Sequence, residues 1–491
     1  MDLPWLGVGV AYFSGIEPLL DSSAGVIDFL EVEPQTLWYQ PDPGVDTYIV
    51  DEQALERLAS FPLPKVLHGI GFPVGGSRPP PRTQVPPFHR TMSALDPPWI
   101  SEHLSFNLAG GPDGEFTTGF LLPPRQTPAG VAAAVESIRS MADQMPIPLA
   151  VEVGTNYLRP RPDELPDGAF VGQVIEAADC GLLLDLHNLW TNERNGRQSV
   201  QDFLDQIPLE RVWEVHIAGG SELQGYWLDS HSGPAPGPVL ELAGGILPHL
   251  PSLRAVTFEL FPDYLPIVGL EGVHAQLQEL REMLGRSPST IGERPNGASR
   301  AQTPGPSSPP SPGEWEDTLG ALVVGREAAG TLAEELSADP GVWLTKRLLG
   351  EFRASMVAGV IKLTSRLIVL AEGRTRFLEL LADYWRYAPP ERFASAEALG
   401  FAGHLRTFKL GIPYLADVLR FEEAVVRTLL DDKERLVPFS HDPLQVLRAL
   451  AEERLPSSPK EGNFEIAVTP EVGDSDAVDR SAARAFQLPS H

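Results

Sequence analysis

The chain has 491 residues, 42% of them hydrophobic, and a formal net charge of −28. That length leaves room for two or more domains with real cores, and the charge argues against nucleic acid or an anionic membrane as partner, since both need a basic surface. The one cysteine, Cys180, excludes a disulfide framework, a thiolate zinc site and an iron–sulfur cluster, and fits a reducing, cytoplasmic setting.

In chain order, the N-terminus MDLPWLGVGV has no basic segment followed by a long apolar run, so no signal peptide is expected. Short apolar runs follow at 6–13, 26–33, 65–72, 99–107, 148–154, 181–189, 211–220 and 253–260. Helical patterns lie between them. Thr127 is a candidate N-cap with Pro128 at the first helical position, a second helix covers Ala169–Asp179, and a third covers Leu270–Leu284. Strands alternating with helices through residues 1–286 predict an α/β fold, a (β/α)8 TIM-type barrel. The competing fold is an open doubly wound sheet, but no glycine-rich phosphate turn follows the first strand. Residues 287–314 are rich in Pro, Ser and Gly and read as a linker. Residues 315–458 show helical spacing and no strand alternation, which predicts a smaller all-α domain. Its most apolar stretch, 355–371, carries Lys362 and Arg366 and reads as a buried helix, not a membrane span. From 459 to 491 a disordered tail is expected.

Polar residues interrupt the barrel runs at one end. The third run carries His68, the fourth Glu102 and His103, the fifth Glu152, the sixth Asp185 and Asn188, the seventh His216 and the eighth Glu259. The segment 228-LDSHSG-233 adds Asp229 and His231. In a barrel the C-terminal strand ends converge on one mouth, where active sites sit. So many imidazoles and carboxylates would be costly if buried and unpaired, and metal ions remove that cost. Histidine and carboxylate without thiolate suit iron, zinc or manganese, and the number of candidates favours two or three ions. Each histidine alone is more often structural, and His187 in 182-LLLDLHNLWTNERNG-196 starts from that reading. Asn195, before Gly196, is expected to cap or turn the loop. Glu31 or Glu33 could be a structural ion-pair partner.

The motifs LHGIGF, SEHLSF, VEV, LLLDLHNLW, VHIAGG, LDSHSG and FEL, in this order, resemble those of the multinuclear non-haem iron-dependent oxidative enzymes, the family of the methanobactin-biosynthesis oxidase. The resemblance covers about residues 5–285. It implies a barrel with two or three irons of mixed ferrous and ferric state, O2 as co-substrate, and a ribosomally made precursor peptide modified at cysteine or at aspartate or asparagine. The ligand set carried over is His68, His103, Glu152, Asp185, Asn188, His216, Asp229, His231 and Glu259. No further catalytic residue is implied. The expected division is His68, His103 and Glu152 on one ion, Asp185, His216 and Glu259 on a second, and Asn188, Asp229 and His231 on a third. Glu102, Glu214 and His187 are expected to support these ligands, Glu214 because it shares a strand face with His216. The sequence departs from the family pattern at Val153, at Gln35-Thr36 and at His187.

The series FLELLADYWRYAPPERF and GIPYLADVLRFEEAV is similar to the helical partner proteins of these enzymes, which implies that the C-terminal half takes the place of a separate peptide-delivering partner. Rival readings are a zinc or manganese barrel, either sugar isomerase or AP-endonuclease-like hydrolase, and a non-catalytic metal-binding scaffold.

Overall fold

All eight apolar runs form parallel strands of one closed barrel: β1 Gly7–Ala11, β2 Phe29–Val32, β3 Lys65–Gly69, β4 Ile100–His103, β5 Leu149–Glu152, β6 Gly181–Asp185, β7 Val212–Ala218 and β8 Ala255–Glu259. The computed structural model describes residues 3–21, 25–41, 45, 47–79, 81–285 and 309–470. Each strand pairs with its sequence neighbours and β8 closes on β1. Strands covered on both faces must be apolar almost throughout, which is why they read as continuous runs. The register puts His68 opposite Ser101, His103 opposite Glu152, Asp185 opposite His216 and Ala218 opposite Glu259. The polar residues therefore form a ring at one mouth.

The helices between strands follow their local signals. Thr127 caps Pro128–Ala142 by accepting from Gly130 N–H. Asp167–Ala178 ends on Asp179 in the left-handed conformation. The last barrel helix runs Leu265–Leu284 with a break at Gly269, φ 70°, so the expected start at Leu270 marks its regular part.

Beyond the barrel, residues 286–308, most of the expected linker, lie outside the described residues. Ser311 caps Pro312–Val323, the first of the helices that make this region mainly helical. Three expectations are corrected here. The stretch 355–371 is not one helix: Pro340–Val360 and Lys362–Glu372 meet at a bend of 107°, and among the described residues no single helix is long and apolar enough to cross a membrane. The region is not all-α, because Arg435–His441 and Glu461–Val468 form an antiparallel hairpin. Val437 and Phe439 on one strand, with Phe464 and Ile466 on the other, pack on one side against Phe421. Pro438 in the first strand hid the alternation. The second strand falls within the expected tail, whose remainder from 471 lies outside the described residues.

The two halves share cores. Trp315, Leu319 and Leu349 of the helical region pack with Phe106, Phe116 and Leu122 of a hairpin, Phe106–Gly111 with Gly114–Leu122, that rises between β4 and β5. The sequence reading missed this hairpin. Glu316 accepts from Ser77 N–H and Oγ–H (2.6 and 2.8 Å) and from Arg78 (2.7 Å), and Trp315 Nε1–H donates to Pro123 O (3.0 Å). Phe393 and Ala396 belong to the core of the barrel itself. The helical region is thus part of the packing around the barrel mouth.

Candidate metal centre

His68 and His103 both aim Nε2 at Glu152 Oε2, at 3.2 and 2.9 Å. Their other nitrogens are committed. Ser101 Oγ donates to Leu67 O and lies 2.8 Å from His68 Nδ1, so His68 carries its proton on Nδ1. His103 Nδ1–H donates to Gly69 O at 3.0 Å. Each ring is therefore anchored through Nδ1 and turns Nε2 into the pocket, the nitrogen that a metal would take. His216 is turned the other way: Nε2–H donates to Glu31 Oε2 (2.7 Å), and Nδ1 faces Glu259 Oε2 (3.1 Å) and Glu152 Oε1 (3.8 Å). His231 Nε2 lies 2.9 Å from Asp229 Oδ1 and 3.6 Å from Glu259 Oε2. The rings of His68 and His103 are 4.6 Å apart, and those of His68 and His216 5.3 Å.

The stretch 182–196 resolves into four separate jobs. Asp185 Oδ1 caps the Leu186–Arg194 helix through Asn188 N–H (2.9 Å), and Oδ2 is left for the pocket. His187 accepts from Trp227 Nε1–H at Nε2 (2.9 Å) and donates from Nδ1 to Asp229 (3.2 Å), so it is a neutral imidazole that aims a carboxylate. A side chain at Gly220 would run into this pair, its Cβ 2.5 Å from Trp227 Nε1 and 2.7 Å from His187 Nε2. Asn188 accepts from Thr155 Oγ1–H (2.5 Å) and donates to Val153 O (3.3 Å). Asn195 grips both backbone groups of Trp227 (2.9 Å each).

Four triads have ligand atoms within 4.8 Å of one another: His68–His103–Glu152, Glu152–Asp185–His216, Glu31–His216–Glu259 and Asp185–His231–Glu259. They overlap through Glu152, Asp185, His216 and Glu259. These four also hold the buried atoms that lack a hydrogen bond here: Glu152 Oε2, Asp185 Oδ2, His216 Nδ1 and Glu259 Oε2. Buried polar atoms are rarely left unpaired, and that all four are hard or borderline metal donors aimed at one space fits a shared multinuclear centre. Of the expected trio, His231 Nε2 lies 2.9 Å from Asp229 Oδ1, and Asn188, Asp229 and His231 line the same cavity. His231 joins Asp185 and Glu259, Asp229 orients His231 and His187, and Asn188 is held by the loop after β5.

Electrostatics point the same way. Burial works against a charged imidazole at His103, yet Glu152 and Glu102 outweigh it and raise the group well above its ordinary range. Burial is likewise outweighed at His216, by Glu259 and Glu31, and at His231, which is pushed up to about 10 by Glu259 and Asp229. Asp185 moves upward through burial and the negative charge of Asp229, Glu152 and Glu259. These opposed shifts come from carboxylates crowded together out of water, and a multivalent cation would relieve that crowding.

Two supporting residues differ from expectation. Glu102 lies on the outer face of β4 and holds the turn after β3, accepting from Phe72 N–H and His103 N–H (2.9 Å each). At His103 Nδ1 the carbonyl of Gly69 lies nearer, at 3.0 Å, than Glu102 Oε1, at 3.4 Å. Glu214 accepts from Trp99 Nε1–H and Thr257 Oγ1–H (2.9 Å each) and stays 3.9 Å from His216. Burial and Glu31 push its carboxyl up to about 8. The partner of His216 is Glu31, across the barrel on β2, weighed in the sequence only as a structural acid. Because a carboxylate on the far nitrogen raises ligand basicity, Glu31→Gln should lower metal affinity roughly 10–100-fold, while Glu214→Gln leaves it unchanged; competition with a chromogenic chelator checks both.

Above the ring lies a cavity of about 270 Å³. His68, His103, Glu152, His231 and Glu259 reach its floor, with Glu33, whose carboxyl burial pushes up to about 7. Its walls are mostly apolar, from Trp38, Phe120, Tyr157 and Phe261 of the barrel and from Phe352 and Phe393 of the helical region.

Relatives share this half of the chain. A UPF0276 protein of Streptomyces avermitilis is 30% identical over 240 residues, 48% of this chain and 47% of that protein, so the chain spans about half the length of that relative. A UPF0276 protein of Anaeromyxobacter sp. is 30% identical over 221 residues, 44% of this chain and 75% of that one. Among solved structures, a D-psicose 3-epimerase from Clostridium cellulolyticum H10 is similar at 15% identity over 57% of this chain and 99% of that chain, with a TM-score of 0.37. A xylose isomerase domain protein from Salmonella typhimurium LT2 is also 15% identical, over 58% and 100%, with the same score. Scores this low carry no argument about chemistry. The model of one family spans residues 7–281, more than half of the chain and every strand of the barrel, and by that match the protein belongs to the RiPP precursor modification enzymes MbnB/TglH/ChrH.

Proposed function

We propose that this protein is an iron-dependent, O2-using oxidase that modifies a ribosomally synthesised precursor peptide, with cysteine as the first candidate for the modified residue and aspartate or asparagine as the next. The observation that carries the reading is the set of overlapping His/carboxylate triads, two of them sharing Glu152, beneath a mostly apolar cavity, in a chain of this family. His68, His103 and Glu152 would hold one ion; Asp185, His216 and Glu259 a second, with Glu152 between the two; His231, with Asp185 and Glu259, would serve a third. Iron bound there would supply electrons to O2, chemistry that no side chain provides. The chain's own part is geometric. Ser101, the Gly69 carbonyl and Glu31 fix which nitrogen of each imidazole faces the pocket. His187 holds Asp229, and Asp229 holds His231. The apolar walls keep water from the reacting residue. The helical region, in this reading, takes the role of a peptide-delivering partner and also closes the cavity.

The test is co-expression with the short reading frame nearest its gene, followed by mass spectrometry of the peptide. An O2-dependent mass change confined to one residue is expected. An unmodified peptide beside a metal-loaded enzyme in air would reject the reading.

A further inference from the structure

The segment 386-RYAPPERF-393 stands out in the sequence, and none of the metal chemistry uses it. It is built with unusual care. Arg353, almost fully buried, donates to Glu397 (2.8 Å) and to the carbonyls of Ala388 and Pro389 (3.2 Å each). Glu397 also accepts from Trp385 Nε1–H and Glu391 N–H (3.1 Å each). Pro390 rests on Gly119 of the barrel hairpin, where φ is +66° and a Cβ would strike the proline ring. Phe393 packs against Tyr48 at 5.7 Å. So the turn is clamped from below and seated on the barrel from above, and the residue between these anchors, Arg392, lines the cavity over the metal ligands.

Arg392 is the single arginine or lysine among the described residues lining that cavity. It is half-buried, and among the described residues it makes no ion pair within 4 Å and no hydrogen bond. The other arginines buried near this interface, Arg78, Arg125, Arg197 and Arg353, each grip at least one carboxylate. The adjacent acid, Glu391, acts on Arg392 only through space, and its carboxyl, raised by burial and by Glu397 to about 7, carries only part of a charge at neutral pH. An arginine placed by a clamped turn in the wall of a mostly apolar cavity, with no acid partner, offers a fork for a planar anion. In a chain with a net charge of −28, it is also the local exception that would admit one.

We propose that Arg392 reads a carboxylate of the substrate, so that the enzyme acts on a peptide segment whose reacting residue sits at the metal ligands while a nearby free carboxylate, at the chain terminus or on an Asp or Glu side chain, docks on the helical region's wall. This rests on the peptide-modifying reading above and narrows its substrate class. The helical region then contributes a specificity-determining residue to the site as well as closing it.

The experiment uses the metal-loaded full chain and three N-acetylated peptides of one apolar sequence: one with a free C-terminal carboxylate, one amidated, and one amidated with a glutamate beside the terminus. Binding is measured by calorimetry. The proposal expects at least one carboxylate peptide to bind roughly tenfold or more tighter than the plain amide, and which one does so identifies the source of the carboxylate. Arg392→Gln should erase that preference without weakening the amide, and Arg392→Lys should retain part of it. Equal binding of the three peptides, no binding of any, or a preference that survives Arg392→Gln would overturn it. The same titration with metal-free protein separates the two claims. An Arg392-dependent preference there, in an enzyme that modifies no peptide, would leave the carboxylate site standing and remove the peptide-oxidase reading.

Discussion

Under the proposed function, Glu152→Ala should abolish iron binding and peptide modification while leaving the fold intact. Among the described residues Glu152 is the one side chain that faces His68, His103 and His216 together, at 3.2, 2.9 and 3.8 Å, and burial of its carboxyl is overcome by His103 and His68, which hold it well below the ordinary range. Losing it removes a ligand from two overlapping triads at once. The effect should exceed the roughly 10–100-fold loss typical of a residue that only orients a ligand. The residue ends β5, and its backbone carbonyl, which accepts from Leu104 N–H at 3.0 Å, survives the substitution, so the far-UV spectrum should not change. Elemental analysis after anaerobic reconstitution reads the outcome; wild-type iron content would remove Glu152 from the centre.

Arg353→Ala should be the most damaging single change in the helical region. The guanidinium is 3% exposed and its partner Glu397 is not exposed at all. Breaking such a pair leaves a buried charge without its counterpart, which costs about 3–5 kcal/mol. It also releases the Ala388 and Pro389 carbonyls that seat the 386–393 turn against the barrel. Two results are therefore expected together: a drop in thermal midpoint, by about 2–4 °C for each kcal/mol in a domain of 150–250 residues, and weaker peptide binding through a disordered cavity wall. Calorimetry of the variant alone and with peptide checks both. A midpoint unchanged from wild type would mean that the pair is not holding the turn.

The barrel was legible because its strands are covered on both faces, so 181-GLLLD-185 or 255-AVTFE-259 could be little else once helices were seen between them. The positions His68, His103, Glu152, Asp185, His216 and Glu259 stood out because each ends an apolar run with a group that costs free energy to bury. What supports them was harder to see. Period two put Glu214 on the face of His216 and suggested that pair, but the hydrogen bond comes from Glu31, far away in sequence and close only because the barrel closes. Ser101 carried a usable signal, two residues before His103 on the same face, and its register opposite His68 completes it. The hydrogen bonds of Asn188 and Asp229 go to Thr155 and His187, loop and helix partners that no local pattern specifies. The helical half read correctly as helices, but its hairpin did not, since Pro438 interrupts one strand and the other begins in a stretch rich in charge. That this half builds the cavity wall follows from Phe352, Arg392 and Phe393 meeting the barrel, a long-range contact with no local signature.

In the proposed function, imidazoles and carboxylates far apart in sequence hold iron together around Glu152. Diffraction from anaerobically grown, iron-loaded crystals, collected on both sides of the iron absorption edge, would locate that iron. Two or three anomalous peaks are expected, one bonded to His68, His103 and Glu152 and another to Asp185, His216 and Glu259. A single peak away from Glu152, or none among these six side chains, would contradict that reading.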